Sequence, residues 1–346
     1  MEIIRYEDLV TFHKGILTHV GLDEETADAV TTGLCETSLR GVDSHGVRLL
    51  PHYVNSALMG RKNPKPNYKF SKKFPTIGTL DADNTFGHAA GMKAIDYCIE
   101  MAEEYGMGVV GVQNSSHPGA MASFALKAAR QGYMAFAFTQ ADALILSYNG
   151  KRPFFGTNPI CFAAPRLEDE PFCLDMAPSM ISWNKLLMYK NENEKVPENY
   201  TADSNGRMTT NPDEASCLMP IGNYKGFGLA SMGDILCGVF TGMTFGRNIP
   251  SMYKASMNEP RHLGQFYLVM KADGCIDHQV FVESLQQMTD EVRSEDAQAG
   301  EQVMLPGDPQ KHETEIRKKN GIPLDQATVK EFQKLAEQYD VPLRLL

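Results

Sequence analysis

Residues 92–111, MKAIDYCIEMAEEYGMGVVG, decide between two classes of α/β fold. The segment 106–111 matches the G-x-G-x-x-G fingerprint of dinucleotide-binding folds, which requires a strand before the glycines and a helix that opens at them. The order here is reversed, because the preceding residues have a helical pattern and Gly106 is interpreted as the C-terminal cap of that helix. No acidic residue lies about twenty positions further on, where a ribose would need one. The segment therefore argues against a classical Rossmann fold.

The segments on either side of this stretch predict a mixed α and β core between helical chain ends. The predicted strands span 108–113, 133–139, 160–164, 172–176 and 264–271. The predicted helices span 5–20, 23–40, Asp43 or Ser44 to Gly60, 89–105, 119–131 and 226–242, and the chain after residue 275 is largely helical. A long polar stretch is expected from about residue 190 to 215. The prolines of NPKPNY, residues 63–68, break the helical pattern and predict a domain boundary near residue 75.

Composition limits the classes of partner. The chain has 346 residues, more than the ~250–300 at which single cores stop growing, so two domains are expected. Its 33 basic and 43 acidic residues give a formal net charge of -10, which disfavours nucleic acid and anionic lipid as partners. The seven cysteines are widely spaced without a C-x-x-C pair, and the N-terminus resembles no signal peptide. We expect a cytoplasmic, soluble protein that does not associate with membranes.

Two short histidine segments carry the chemistry: RGVDSHGVRLLPHY at 40–53 and NSSHPG at 114–119. His45 falls at a predicted loop-to-helix junction, where a capping Ser44 or Asp43 would orient the ring. Arg48, one turn along, suits a carboxylate, and the Tyr53 hydroxyl suits a substrate oxygen. The alternative interpretation is a capping histidine beside a surface salt bridge. A metal shared by Asp43 and His45 is not expected, because no third ligand lies nearby.

Three further residues stand at strand ends or helix starts. His117 follows a strand and precedes a helix, where ligand sites of α/β sheets gather, and imidazole is the side chain best matched to proton transfer at neutral pH. Lys225 begins KGFGL, a glycine-rich helix start suited to a phosphate or carboxylate. Asp175, in FCLDMAPS, would orient a histidine or bind a nicotinamide amide or ribose. The alternative for Lys225 and Asp175 is a solvated loop charge.

Taken in order, these segments resemble the malate/L-lactate dehydrogenase family of the second type. The resemblance runs over essentially the whole chain, through SHGVRLLPHY, NSSHPG, GTNPICFAAP, LDMAPS, DSNGRMTTNPDEA, KGFGL and VMLPGDPQK. It implies a non-Rossmann, sulfolactate-dehydrogenase-like mixed α+β fold, with a helical domain from both chain ends, residues 1–75 and 275–346. Residues 76–274 would form a mixed-sheet domain that binds NAD or NADP, with NAD favoured. The resemblance also implies a homodimer.

Carried over residue by residue, the resemblance implies a set of site residues. His45 and His117 occupy the places of histidines proposed as acid or base in different members, and the comparison does not decide between them. Ser44, Arg48, Tyr53 and Asn158 would bind substrate. The residues expected to contact the dinucleotide are Asp175, Met176, Ala177, Lys225, Gly226, Pro306, Gly307 and Asp308. Asp175 would also assist catalysis.

Three departures from the family pattern bear on the substrate. Many members carry an arginine four residues after the SHG histidine, where this chain has Leu49. Ala141 replaces a serine that contacts the cofactor in some members. The segments TFGRNIPSMY and RHLGQF, at 244–253 and 261–266, resemble the ureidoglycolate enzymes more than the malate enzymes.

The predicted activity is hydride transfer between nicotinamide and C2 of a small anionic 2-oxo or 2-hydroxy acid of the malate, lactate, sulfolactate or ureidoglycolate type. In the reductive direction an imidazolium would protonate the developing alkoxide. Two other classes stay open. One is a catalytically silent homologue that senses a dinucleotide or metabolite, and the other is a metal-dependent hydrolase.

Overall fold

The computed structural model describes residues 2–346, which contain ten α-helices and fourteen strands. The α-helices are α1 Tyr6–His19, α2 Glu24–Leu39, α3 Leu50–Leu58, α4 Gly87–Tyr105, α5 Ala122–Ala129, α6 Trp183–Glu192, α7 Tyr224–Asp234, α8 His278–Arg293, α9 Asp308–Asn320 and α10 Gln326–Tyr339. The strands are β1 Glu2–Ile4, β2 Lys69–Phe74, β3 Ile77–Asp81, β4 Met107–Ser115, β5 Tyr133–Thr139, β6 Ile145–Leu146, β7 Pro153–Phe155, β8 Ile160–Ala164, β9 Phe172–Met176, β10 Thr201–Ala202, β11 Met208–Thr209, β12 Cys217–Leu218, β13 Leu263–Lys271 and β14 Ile322–Leu324.

The central sheet has seven strands in the order β2-β3-β4-β13-β5-β8-β9. Only β3 and β4 pair in parallel within it, and α4 is the crossover between them. Gly106 ends α4 at φ 83°, and its N–H donates to the Ala102 carbonyl at 2.8 Å before β4 begins. This left-handed cap is the one expected from the sequence, and the mixed sheet confirms that the fold is not a Rossmann fold.

Both ends of the chain share one hydrophobic core. Strand β1 pairs with β14, and the cluster around Phe12, Leu34 and Tyr53 also contains Phe332 from α10. A second cluster lies between α4, α5 and the central sheet. Strand β2 lies before the predicted boundary at residue 75 yet pairs with β3 in the central sheet. The division into two domains stays a prediction.

Two predicted helices differ from the structure. The helix expected from Asp43 or Ser44 is divided into two 3₁₀ turns, Asp43–His45 and Val47–Leu49, before α3. Gly46 separates them, and a Cβ at Gly46 would lie 2.1 Å from Ser38 Oγ, so the close approach of α2 sets the break. The helix expected over 226–242 begins as α7 and widens into a π-helical segment, Ile235–Val239. No helix among residues 2–346 is long and apolar enough to cross a membrane.

Candidate active site

One large cavity, about 1350 Å³ in volume, receives residues from all parts of the chain. Its lining includes His45, His117, Asp175, Arg261 and Gly307. Binding sites for drug-sized ligands measure roughly 300–1,000 Å³, so this cavity has room for a larger ligand beside a small one. The two histidine segments predicted from the sequence therefore meet in one place.

The loop that carries His45 is held from the C-terminal part of the chain. Asp43 accepts two hydrogen bonds from Arg317 of α9, at 2.7 and 2.9 Å, in a bidentate pair. Ser44 lines the cavity, and its hydroxyl lies 2.9 Å from His45 Nδ1. Asn184 donates to the Ser44 carbonyl at 2.9 Å. These contacts fix the ring without a regular helix beneath it.

The loop that carries His117 is held by the residues before and after it. Ser116 is buried, and its hydroxyl donates to the Thr85 carbonyl at 2.9 Å and accepts from the Gly87 N–H at 3.0 Å. Gly119 has φ 75°, and a Cβ there would lie 2.5 Å from His88 Nε2. Only glycine fits this turn, so the glycine of the NSSHPG motif is required sterically, whereas its histidine serves the chemistry.

The imidazole rings of His45 and His117 lie side by side in the lining of the cavity. Their ring centroids lie 5.7 Å apart at an interplanar angle of 27°. Burial lowers the pKa of His45 to about 4, with a smaller contribution from the Arg48 charge. Burial, followed by His45, holds the pKa of His117 well below its usual range. Both rings are therefore uncharged at neutral pH and able to accept a proton.

Tyr53 supports His117 rather than lining the cavity. Its side chain is fully buried, and its hydroxyl lies 2.8 Å from His117 Nδ1 and 3.2 Å from the His117 carbonyl oxygen. The sequence predicted substrate binding by Tyr53. In this structure the hydroxyl contacts His117 instead, and a role of Tyr53 in substrate binding stays a prediction.

The structure brings a different arginine to the cavity than the sequence predicted. The Arg48 side chain is exposed and does not line the cavity, because the 3₁₀ turn directs Leu49 inward instead. Arg261 lines the cavity, with Nη2 donating to Asp142 Oδ1 at 2.6 Å and Nε donating to the Pro250 carbonyl at 2.8 Å. Among residues 2–346, Arg261 Nη1 has no hydrogen-bond partner. The only sequence signal for Arg261 was its place in RHLGQF, directly before the buried strand β13.

Asp175, Met176 and Ala177 line the cavity, as do Pro306 and Gly307. Asp175 Oδ2 accepts from the N–H of Ala122, the first residue of α5, at 2.8 Å. It has no hydrogen bond to either histidine within the part of the chain that the structure describes, so it does not orient them. Asp308 lies behind the loop, where it accepts from Arg293 at 2.6 and 3.0 Å and from the Leu305 N–H at 2.9 Å. Asp308 thus fixes Pro306 and Gly307 and does not itself line the cavity.

The Asp175→Asn variant is expected to be more stable than the wild type at pH 7.5 but not at pH 4. The Asp175 side chain is open to the cavity, and desolvation by the surrounding protein raises its pKa to about 6. A folded-state pKa above the unfolded value stabilises the protein at low pH, and this contribution is lost as pH rises through about 6. Thermal melting at both pH values checks this expectation. An equal change in Tm at pH 4 and pH 7.5 would contradict it.

Asn158 links three parts of the protein without lining the cavity. Its side chain is fully buried, accepts from the Ala141 N–H at 2.9 Å, and donates to the Ala230 carbonyl at 2.8 Å and to Asp234 Oδ1 at 2.9 Å. The neighbouring Thr157 and Pro159 line the cavity instead. These contacts explain the GTNP motif as a structural junction, and substrate binding by Asn158 stays a prediction.

Asn158→Ala should lower the free energy of unfolding by about 2–4 kcal/mol, because three buried polar groups lose their partner. Asn158 also has φ 28°, a backbone conformation that alanine tolerates less well than asparagine. Urea denaturation measures the change. Asn248→Ala is the control, since Asn248 is exposed and has no side-chain hydrogen bond in the described structure. Equal stability of the two variants would exclude the junction role.

Lys225 and Gly226 are not among the residues that line the cavity. Lys225 is exposed near the start of α7, and Gly226 is buried where a Cβ would lie 2.4 Å from the Ile221 carbonyl oxygen. In the chain as described neither residue lines the cavity, which differs from the contact with the dinucleotide expected for them. The KGFGL motif therefore reflects, at Gly226, a close backbone approach.

Comparisons with known proteins agree with this geometry. A family model described as malate/L-lactate dehydrogenase matches residues 4–333. The NAD(+)-dependent ureidoglycolate dehydrogenase of Escherichia coli strain K12 is 33% identical over 295 residues, which cover 85% of this chain and 84% of that protein. The malate dehydrogenase of Entamoeba histolytica superposes with a TM-score of 0.93 at 26% identity, covering 99% of each chain. The sulfolactate dehydrogenase of Methanocaldococcus jannaschii superposes with a TM-score of 0.91 at 26% identity, covering 98% of each chain. The predicted fold class is thereby confirmed.

Proposed function

Because this chain belongs to the malate/L-lactate dehydrogenase family, we propose that it transfers a hydride between a nicotinamide dinucleotide and C2 of a small 2-oxo or 2-hydroxy acid. The observation that carries this proposal is the meeting of His45, His117 and Arg261 in one cavity. Two proton-transfer groups beside one guanidinium match the two polar ends of such an acid, its C2 oxygen and its carboxylate.

The cavity supports a dinucleotide as the second ligand. Its volume exceeds that of an ordinary small-molecule site, and it is lined on one side by Asp175, Met176 and Ala177 and by the Pro306–Gly307 turn. Five further cationic side chains in the lining suit the phosphates: Arg40, Lys151, Arg152, Arg247 and Lys254. When bound, the nicotinamide supplies the hydride acceptor or donor. NAD is the favoured form of the cofactor in this proposal.

His117 is the proposed acid and base. In the oxidative direction its neutral imidazole accepts the hydroxyl proton of the substrate, and in the reductive direction the imidazolium returns that proton. The Nε2 atoms of His117 and His45 have no hydrogen-bond partner among residues 2–346, so both remain available to a ligand. We assign the proton transfer to His117 because the buried Tyr53 anchors its ring, whereas the partner of His45 is the adjacent Ser44.

Arg261 is the proposed carboxylate-binding residue, in place of Arg48. Its Nη1 donors are free, and Asp142 and the Pro250 carbonyl hold the rest of the guanidinium in place. A fixed guanidinium holds the carboxylate of the acid in one orientation, so that C2 always has the same position relative to the nicotinamide. Leu49 lines the cavity with an apolar side chain at the position where the family pattern has an arginine.

The homodimer remains part of the proposal, and an exposed apolar face supports it. Ile235, Val239 and Phe240, in and directly after the π-helical segment that follows α7, are 56%, 58% and 53% exposed. Contiguous exposed apolar surface marks interaction sites, and self-association through one such face is the commonest form of oligomer. Light scattering coupled to size exclusion should give a mass twice that of the chain. A monomer at assay concentration would contradict the dimer.

Absorbance at 340 nm is the experiment that tests the proposed function. Purified protein is mixed with NADH or NADPH and each of a panel of 2-oxo acids, and with NAD(+) or NADP(+) and malate, lactate, sulfolactate or ureidoglycolate. Turnover of one pair supports the reaction class and identifies the substrate and cofactor. Binding of a dinucleotide without turnover of any acid would favour the sensor, and absence of dinucleotide binding would refute the proposal.

A further inference from the structure

Lys62 is a buried amine behind the Tyr53–His117 pair, and the proposed reaction assigns it no role. The residue is 2% exposed. Its Nζ lies 3.5 Å from the centroid of the Tyr53 ring and 4.8 Å from that of Phe86. In the described part of the chain this Nζ has no hydrogen-bond partner. A lysine without an anionic partner is rarely buried, so its position needs a reason.

The position of Lys62 is fixed by its neighbours. Its N–H donates to the Ser56 carbonyl at 3.1 Å. The preceding Arg61 is 1% exposed and donates to the carbonyls of Met252, Ala255 and Ser256, each at 2.7 Å. These bonds fix the backbone of Lys62 and the adjacent Arg61 side chain, so the Lys62 side chain starts from a fixed point beside the Tyr53 ring.

Two properties favour the protonated form of the amine at this position. The usual pKa of lysine starts about four pH units above that of histidine. Two aromatic faces also stabilise a cation that has lost its water. Burial, followed by the charges of Arg261 and Arg61, holds the pKa of Lys62 well below its usual range. Lys62 therefore competes with His117 for a proton more closely than an ordinary lysine would.

Tyr53 connects the amine to His117. Its hydroxyl proton can be donated to the His117 carbonyl oxygen, at 3.2 Å, while its oxygen accepts from Nδ1–H, at 2.8 Å. In this arrangement Nε2 carries the lone pair. A cation on the ring face withdraws electron density from the phenol oxygen, which weakens it as an acceptor and disfavours a second proton on the imidazole.

The other groups around the two residues do not compensate that charge. His117 is faced by His45, Arg261, His88 and Tyr53 as well as by Lys62, and Lys62 is faced by Arg61, Arg261, His52 and His88. These side chains are cationic or neutral. The carboxylates that face this set act on its arginines: Asp142 Oδ1 accepts from Arg261, and Asp142 and Glu259 lie in the field of Arg61. Removal of the Lys62 charge should therefore favour protonation of His117.

We propose that Lys62 is a positioning residue for His117, which it keeps in the unprotonated state by its charge on the face of Tyr53. The proposal rests on the proposed function, because it gives His117 the form that accepts a proton from a hydroxy acid. It adds a residue that does not touch the substrate and that neither histidine motif contains.

Nuclear magnetic resonance of the full-length protein with isotope-labelled histidine tests the proposal without substrate. The imidazole signals of His117 are followed against pH in the wild type, Lys62→Met, Tyr53→Phe and Lys93→Met. Methionine matches lysine in length, and Lys62 Nζ has no hydrogen bond to lose. Lys93 is the matched control, because its Nζ lies 6.0 Å from the Tyr68 ring centroid and bonds Glu25 at 3.0 Å.

Lys62→Met is expected to raise the pKa of His117 by about one pH unit. Tyr53→Phe should lower it, because the acceptor of Nδ1–H is removed while the ring under Lys62 remains. Lys93→Met should leave it unchanged. If the pKa of His117 is unchanged in folded Lys62→Met, the proposal is overturned. It is also overturned if the pKa of His117 moves in the same direction in Lys62→Met and in Tyr53→Phe. If Lys62→Met does not fold, the Tyr53→Phe variant decides: an unchanged or raised pKa of His117 in that variant is enough to overturn the proposal.

The pH profile of kcat/KM for hydroxy-acid oxidation gives an independent readout. Its acidic limb should move to higher pH in Lys62→Met by the same amount as the His117 titration, and Lys62→Arg should restore the wild-type profile. Equal profiles for Lys62→Met and Lys62→Arg would exclude a role of the charge. If the wild type oxidises no acid, the proposed function fails, while the titration of His117 still decides the role of Lys62.

Discussion

His117→Ala is expected to lower turnover about 10²- to 10⁴-fold, the usual contribution of a positioned acid or base. The imidazole lines the cavity, its Nδ1 is held by Tyr53, and Nε2 is free for the substrate. Affinity for the dinucleotide should change little, because the residues proposed to hold it belong to other segments. Steady-state rates and fluorescence titration of NADH measure the two quantities separately.

His45→Ala and His312→Ala complete this experiment. His312 is an exposed histidine on α9, so its removal should leave turnover unchanged. His45→Ala should cost less than His117→Ala if His117 moves the proton. A larger loss in His45→Ala would reverse the roles of the two rings. If His45→Ala and His117→Ala both turn over at the wild-type rate, neither histidine transfers the proton.

The second large effect is expected from the loss of Arg261, the residue proposed to bind the substrate carboxylate. Arg261→Met is expected to lower kcat/KM about 10²- to 10³-fold, because loss of a buried charged partner costs several kcal/mol. Arg261→Lys should recover only part of this activity, since a single ammonium cannot replace the two-pronged guanidinium. The variants are assayed with the preferred acid over a range of concentrations, and circular dichroism verifies folding.

Arg48→Ala is the matched control for Arg261, because the two arginines were competing candidates for one role. Arg48 is exposed outside the cavity, so its removal should leave kcat/KM within about 3-fold of the wild type, as surface substitutions usually do. A large rise in KM for Arg48→Ala, with little change in KM for Arg261→Met, would show that Arg48 binds the substrate carboxylate.

Local sequence patterns predicted much of the fold. Asp23 before α2 accepts from the Thr26 N–H at 2.8 Å as an N-terminal cap should, and Gly106 ends α4 in the left-handed conformation. Both outcomes depend on a few neighbouring residues, which are contiguous in the sequence. The reversed order of helix and glycines argued against the Rossmann fold for the same reason.

Contacts between distant segments decided what could not be predicted. The helix expected at His45 breaks because Ser38 of α2 leaves no room for a Cβ at Gly46. Arg261 enters the cavity from residues far along the chain, and no local pattern distinguishes it from Arg48. Asn158 has the appearance of a ligand-binding residue in its motif, yet its partners are Ala141, Ala230 and Asp234. Such partners become visible only when the tertiary structure is known.

The contact between Asp43 and Arg317 has a consequence for the biosynthesis of this protein. Because translation runs from the N-terminus to the C-terminus, the ribosome releases the loop with His45 before the helix with Arg317, and β1 before its partner β14. In the nascent chain the His45 loop therefore lacks its Arg317 contact until α9 has emerged from the ribosome. Premature termination before Arg317 would leave both histidine motifs intact in sequence but deprive the first of its anchor.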